Sequence, residues 1–145
     1  MKATATNIYA GRLESLAGNC LLAAGLLPDY WVVLQVGVPD QLLFINGEAL
    51  GAQCWPSTGH QGYFCAFTPL FMPEKLMHRI KRLSLFAVPG KGVIKLSRMQ
   101  ASAVSQIFEL LLAEVSSQYH HKLDLMHNYV IQIIHFGLKN AGSAS

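Results

Sequence analysis

The chain of 145 residues is 52% apolar and only 13% charged, with eleven Lys and Arg against eight Asp and Glu for a net charge of +3. That length suits one compact domain with a substantial core. The composition excludes a disordered or low-complexity chain, which lacks the apolar surface needed to offset ordering entropy.

In chain order, residues 1–12 show little periodicity and read as a loose or edge segment. Leu13 to Leu27 reads as a short helix weakened by Gly18 and Gly25. A membrane span needs roughly 20 apolar residues, which this stretch does not supply. Arg12 and Glu14 directly before the apolar run Leu16–Leu27, and no clean small-x-small site after it, argue against a signal peptide. After the Pro28-Asp29 break, Tyr30–Val36 is aromatic and β-branched and reads as a buried strand. Gln41–Ile45 reads as a second strand, and Asn46-Gly47 is a hairpin signal with Leu50–Trp55 returning. Gly62–Phe67 follows the Pro56–Gly59 turn as a further strand. Strands at this spacing predict an antiparallel sandwich or barrel.

Thr68-Pro69 has the form of an N-cap with proline at the first helical position, so a short helix is expected near 68–82, with its amphipathic part from Glu74 to Leu83. Leu85–Val88 and Val93–Leu96 read as two more strands across Pro89–Gly92. Ser97 and Gln100 have capping-box spacing. Helical periodicity then runs from Arg98 to about Ser117 and from about Lys122 to Lys139, and 140–145 reads as a flexible polar tail.

At roughly 100° per residue, the apolar positions of the first of these helices fill an arc of about 200°, while the polar ones of the second crowd into about 80°. An ordinary surface helix carries a stripe of roughly 100°. Each helix is therefore expected to be covered from two directions, once by its own domain and once by either the sister helix or a second subunit. The candidate pairing residues are Ile107, Leu110, Leu111, Met126, Tyr129, Val130, Ile133 and Phe136.

Chemistry-bearing motifs are scarce. Cys20, Cys54 and Cys65 have no C-x-x-C spacing, which favours reduced, buried thiols in a cytoplasmic protein. The six histidines lack metal-ligand spacing: His60 stands in a turn, His120-His121 in the helix connection, and His127 and His135 on different faces of one helix. No nucleophile elbow, phosphate loop or dinucleotide fingerprint occurs. Cys65 with a distant histidine is a weak nucleophile pair, since apolar strands hold inert thiols. No catalytic, metal or cofactor site is expected. The aromatic strand residues Trp31, Phe44, Trp55, Tyr63 and Phe67, with Cys65, are the candidate lining of a small-molecule pocket. Lys75, His78, Arg79, Lys81 and Arg82 are the only candidate basic stripe and are thin for DNA.

Gly62-Tyr63-Phe64-Cys65-x-Phe67-Thr68-x-x-Phe71, Leu85-Phe86 with Pro89-Gly90, and Leu96-Ser97-x-x-Gln100 with Ile107-Phe108 and Leu112-Ala113-Glu114 form one part of a wider pattern. Its last part is Asp124-Leu125-x-x-Asn128-Tyr129-Val130 with Ile133-Ile134-His135 and Leu138-Lys139. Together they resemble the N-terminal regulatory domain of AraC-type transcription regulators over residues 41–139, while 1–38 do not follow that pattern. The resemblance implies a cupin-like barrel that binds an effector and a helical pair that dimerises. It adds no recognition helix to this chain, so sequence-specific DNA binding by the chain itself is not expected.

The expected molecule is thus a single α+β domain, 1–145. Residues 1–96 form a small antiparallel cupin-like barrel or sandwich, and 97–139 a two-helix hairpin. It is expected to be a cytoplasmic, non-enzymatic homodimer that senses a small molecule, with no membrane segment. The alternatives are a metal-dependent cupin enzyme and a stand-alone small-molecule binding protein.

Overall fold

The computed structural model describes residues 2–5, 7–15, 30–37, 40–46, 61–88 and 91–141. It is an α+β arrangement in which helices cover one face of an antiparallel sheet. The strands are β1 (Lys2–Ala5), β2 (Ile8–Arg12), β3 (Trp31–Val36), β4 (Gln41–Asn46), β5 (Gly62–Phe67) and β6 (Val93–Lys95), in spatial order β1-β2-β5-β3-β4-β6. The helices are α1 (Glu74–Arg82), α2 (Ser84–Ala87), α3 (Arg98–Val115) and α4 (Lys122–Ala141).

The strand period of two sorts the side chains. Ile8, Ala10, Val33, Leu42, Phe44, Cys65, Phe67 and Ile94 join the helices in the main core. Val32, Leu34, Val36, Leu43, Phe64 and Ala66 point the other way, into a second cluster with Leu13 from a single 3-10 turn. The central strand β3 is therefore apolar on both faces, which accounts for its near-continuous Trp-Val-Val-Leu run.

The expected barrel is corrected to an open sheet. Among the described residues, the edge strands β1 and β6 do not pair with each other. The face that would line a lumen carries Phe108, Leu111, Val130 and Ile133 of α3 and α4 against it. The expected returning strand Leu50–Trp55, all but the start of the 13–27 helix, and the tail beyond Ala141 lie outside the described residues.

Two local expectations are overturned for clear reasons. Leu85–Val88 is not a strand: Ser84–Ala87 is helical. Consecutive Leu85 and Phe86 are both buried in the one main core, which a helical turn permits and a strand would not. Thr68-Pro69 makes a turn instead of starting a helix, with the Phe71 N–H donating to the Thr68 carbonyl (3.0 Å). A helix from 69 would have met Pro73 in its interior, and α1 begins directly after that residue.

The Ser97–Gln100 capping box forms as expected: Ser97 Oγ accepts from the Gln100 N–H (3.1 Å), and Gln100 Oε1 accepts from the Ser97 N–H (2.8 Å). Gln100 Nε2 also donates to Asn140 Oδ1 (2.9 Å), tying the start of α3 to the end of α4. Among the described residues no helix is long and apolar enough to cross a membrane.

α4 approaches the sheet most closely at Gly137. A Cβ there would lie 2.5 Å from the Phe44 ring and 3.2 Å from Leu85 Cδ1. Phe44 is itself held edge-on to Phe86 (5.5 Å, 87°) and has nowhere to retreat. Gly137→Val is expected to cost about 1–3 kcal/mol by overpacking, read as a lower urea midpoint; an unchanged midpoint contradicts this packing.

Candidate functional site

Cross-strand registers place residues of β2, β5, β3 and β4 in rows beneath the helices. One row is Ala10, Cys65, Val33 and Phe44, all buried and apolar. The next is Arg12, Tyr63 and Gln35, ending on Leu42. The same face thus turns abruptly polar at one end of the sheet, where the first three turns of α3 lie over it.

Gln35 is the only buried polar residue among the described residues, at 6% exposure. Its Nε2 donates to the Ala101 carbonyl (2.9 Å) and to Ser105 Oγ (2.8 Å). Its Oε1 has no hydrogen-bond partner among the described residues. A buried acceptor left without a donor costs about 1–3 kcal/mol, so the position is held at the expense of stability. Gly62 stands beside it with φ +144°, where a Cβ would fall 1.8 Å from the Gln35 carbonyl oxygen. Only glycine allows β5 to run this close to β3.

At the other end of the row, Arg12 Nη2 pairs with Glu109 Oε2 at 2.7 Å. Arg12 Nη1 donates to the Tyr63 hydroxyl (3.2 Å), and that hydroxyl donates to Glu109. The guanidinium also lies 5.2 Å from the centroid of the Tyr63 ring, which stacks at 5.3 Å on Phe108 of α3. The Tyr63 hydroxyl, together with Arg12, holds the Glu109 carboxyl below its ordinary range. Burial, reinforced by the bond to Glu109, pushes the Tyr63 hydroxyl up and keeps it a donor. Bonds to Tyr63 and Glu109 hold Arg12 charged.

Between this sheet end and α3 opens a cleft of about 500 Å³. Arg98, Ala101, Ser102 and Ser105 form one wall, at the spacing that puts them on one face of α3. Opposite stand Arg12, Glu14, Gln35, Asp40 and Tyr63. Arg98 faces Glu14 and Asp40 across the cleft, the charge of Arg12 is met by Glu109, and hydroxyls and the Gln35 amide lie between the walls. The arrangement suits recognition of a small polar molecule by hydrogen bonds.

Of the expected pocket residues, only Tyr63 lines this cleft. Phe44, Cys65 and Phe67 are core beneath the helices, and Trp31 packs edge-on to Phe86 (5.0 Å), so these four line no lumen. They share one sheet face, but helices fill the space in front of it. Trp55 lies outside the described residues. Burial pushes the Cys65 thiol up to about 12, which leaves it protonated and unreactive.

The expected pairing residues divide. Leu111, Met126, Val130 and Ile133 are all but fully buried in the chain's own core, because the sheet is the cover for that side of the hairpin. Ile107, Tyr129 and Phe136 are half-buried, and Leu110 is 51% exposed. These four remain at the surface of the hairpin. Among the described residues no three His, Cys, Asp or Glu side chains converge as a metal site. His127 Nε2 lies 2.6 Å from the Phe71 carbonyl, and His120 and His121 are exposed in the connection.

The residues missed were Arg12, Gln35 and Glu109. Gln35 left a trace, as the one polar residue inside an apolar strand, and a buried polar group is the informative kind of position.

Glu109→Gln is expected to remove an acid-side contribution to stability. With its native pKa lowered, the wild-type advantage is full above the ordinary glutamate range and is lost as pH falls through the native value. Urea unfolding of both proteins over an acid pH series checks this; a pH-independent difference contradicts it. Comparison with known proteins finds no matching family model, no matching curated protein and no matching solved structure.

Proposed function

We propose that the chain is a non-enzymatic sensing and pairing module, of the kind its AraC-type resemblance implies, in a transcription regulator. Its effector is a small, donor-rich molecule without net charge, of amino-acid or monosaccharide size, taken into the cleft between the polar row and α3. One observation carries this reading: Gln35 is buried with its Oε1 unpaired at the wall of a cleft of about 500 Å³. Oε1 itself has almost no accessible surface, so an N–H or O–H of the effector would supply the missing donor as the cleft wall at Gln35 opens. With Arg12 paired to Glu109, the cleft presents Arg98 against Glu14 and Asp40, and this mixture of signs favours a neutral or zwitterionic ligand over a simple ion. An open sheet takes the place that a closed cupin-like barrel has in the resemblance, and the ligand sits beside the sheet end instead of inside a lumen.

Because α3 forms one wall of the cleft and one arm of the hairpin, ligand contacts at Ser102 and Ser105 act on the element that carries Ile107 and Leu110. The surface of Ile107, Leu110, Tyr129 and Phe136 is the proposed contact with a second copy, in place of the wider set read from helical periodicity. Ile133 is unsuited to test pairing, since a charge there enters the core.

Screening the full chain by thermal shift against L-amino acids and monosaccharides is expected to reveal a stabilising ligand. Gln35→Met should weaken its binding by about tenfold. Without ligand, the same substitution should change stability by less than about 1 kcal/mol, since the Ala101 carbonyl keeps its helical donor. A ligand that binds Gln35→Met as well as wild type contradicts the assignment. For pairing, Leu110→Glu is expected to weaken a sedimentation-measured dimer by roughly thirtyfold, as a hot-spot loss of about 2 kcal/mol, with circular dichroism unchanged. A monomeric wild type, or an unaffected dimer, contradicts that contact.

A further inference from the structure

A second cavity shares no residue with the polar cleft. Leu76 and Ile80 of α1, with Leu83 directly after that helix, stand opposite Ile131, Ile134 and Leu138 of α4, which share one helix face. These stripes border a groove of about 150 Å³. Ile80 and Ile134 are buried, while the other four side chains are half-buried walls. An aliphatic cavity of about that volume accommodates a single benzene-sized ring.

The polar groups on the groove are Arg79 and His135, both exposed at its rim. The two helices are basic along their length: besides Arg79, α1 carries Lys75, His78, Lys81 and Arg82 against Glu74 alone, and α4 carries Lys139 beyond His135. None of these side chains is in an ion pair among the described residues, where the ion pairs join Arg12 to Glu109 and His121 to Asp124. An apolar slot of ring size therefore opens beneath an unneutralised positive rim. A guanidinium presents paired donors that match a carboxylate.

We propose that the α1–α4 groove is a binding site for a small apolar carboxylate, with its ring or short aliphatic chain between Ile80 and Ile134 and its carboxylate at Arg79 and His135. The neutral alcohol of the same shape loses the charged contact, and the corresponding amine meets a rim of its own sign. This site stands independently of the effector reading for the polar cleft.

Benzoate, benzyl alcohol and benzylamine, titrated into the full chain and followed by methyl NMR, test the proposal. Benzoate is expected to shift the Ile131, Ile134 and Leu138 methyls and to bind at least about tenfold more tightly than benzyl alcohol, with benzylamine weakest. Arg79→Gln and His135→Gln, both at exposed positions, should each reduce benzoate affinity and leave benzyl alcohol unchanged. Leu138→Phe should exclude both by filling the slot. Equal binding of acid and alcohol, benzoate shifts that avoid these methyls, or benzoate affinity unaffected by both rim substitutions overturns the proposal. Methyl shifts that depend on protein concentration alone would assign the groove to a second copy and overturn it too.

Discussion

Because β5 pairs antiparallel with both β2 and β3, one register decides which side chains meet the helices. A slip of one residue would carry Phe64 and Ala66 under α3 and send Tyr63, Cys65 and Phe67 to the far face. The observed register stacks Ala10, Cys65, Val33 and Phe44, and beyond them Ile8, Phe67 and Trp31, under the helical layer and leaves Arg12, Tyr63 and Gln35 as the row at the sheet end. Gly62 holds that register from the other side, since its positive φ and its approach to the Gln35 backbone admit no other residue. The chain conformation that closes the core thus also builds the cleft.

The same register carries a cost that core packing alone would not select. Three neighbouring strands contribute a polar side chain to a face that is otherwise apolar, and one of these is buried with an unfilled acceptor. All three side chains are held by α3: Arg12 by pairing with Glu109, Tyr63 by stacking on Phe108 and bonding to Glu109, Gln35 by donating to Ala101 and Ser105. α3 therefore links the cleft to the hairpin surface at Leu110 through one rigid element. The basic groove between α1 and α4 lies apart from this linkage.

Much of the fold was legible where local chemistry is unambiguous. Trp31–Val36 and Gly62–Phe67 are aromatic and β-branched, and the Ser97–Gln100 box marks a helix start that the structure places at Arg98. Leu85-Phe86 was not legible, because a short apolar run carries no period and only the position of the core decides between turn and strand. Thr68-Pro69 opens a turn as readily as a helix. The site was less legible than the fold. Alternation correctly put Tyr63, Cys65 and Phe67 on one face, yet nothing in the sequence said that helices would fill the space before it. The broad apolar arcs of α3 and α4 did not say which positions the chain's own sheet would take, and it covers Leu111, Met126, Val130 and Ile133. Arg12, Gln35 and Glu109 are far apart in the chain, and only the strand registers and the packing of α3 on the sheet bring them together.

The side-chain amide of Gln35 gives the most direct test of this arrangement. With α3 over the polar row, its amide protons should exchange slowly and show nuclear Overhauser contacts to Ala101 and Ser105. Rapid exchange, or contacts to Leu13 and the far-face cluster in place of α3, would contradict the register and with it the cleft.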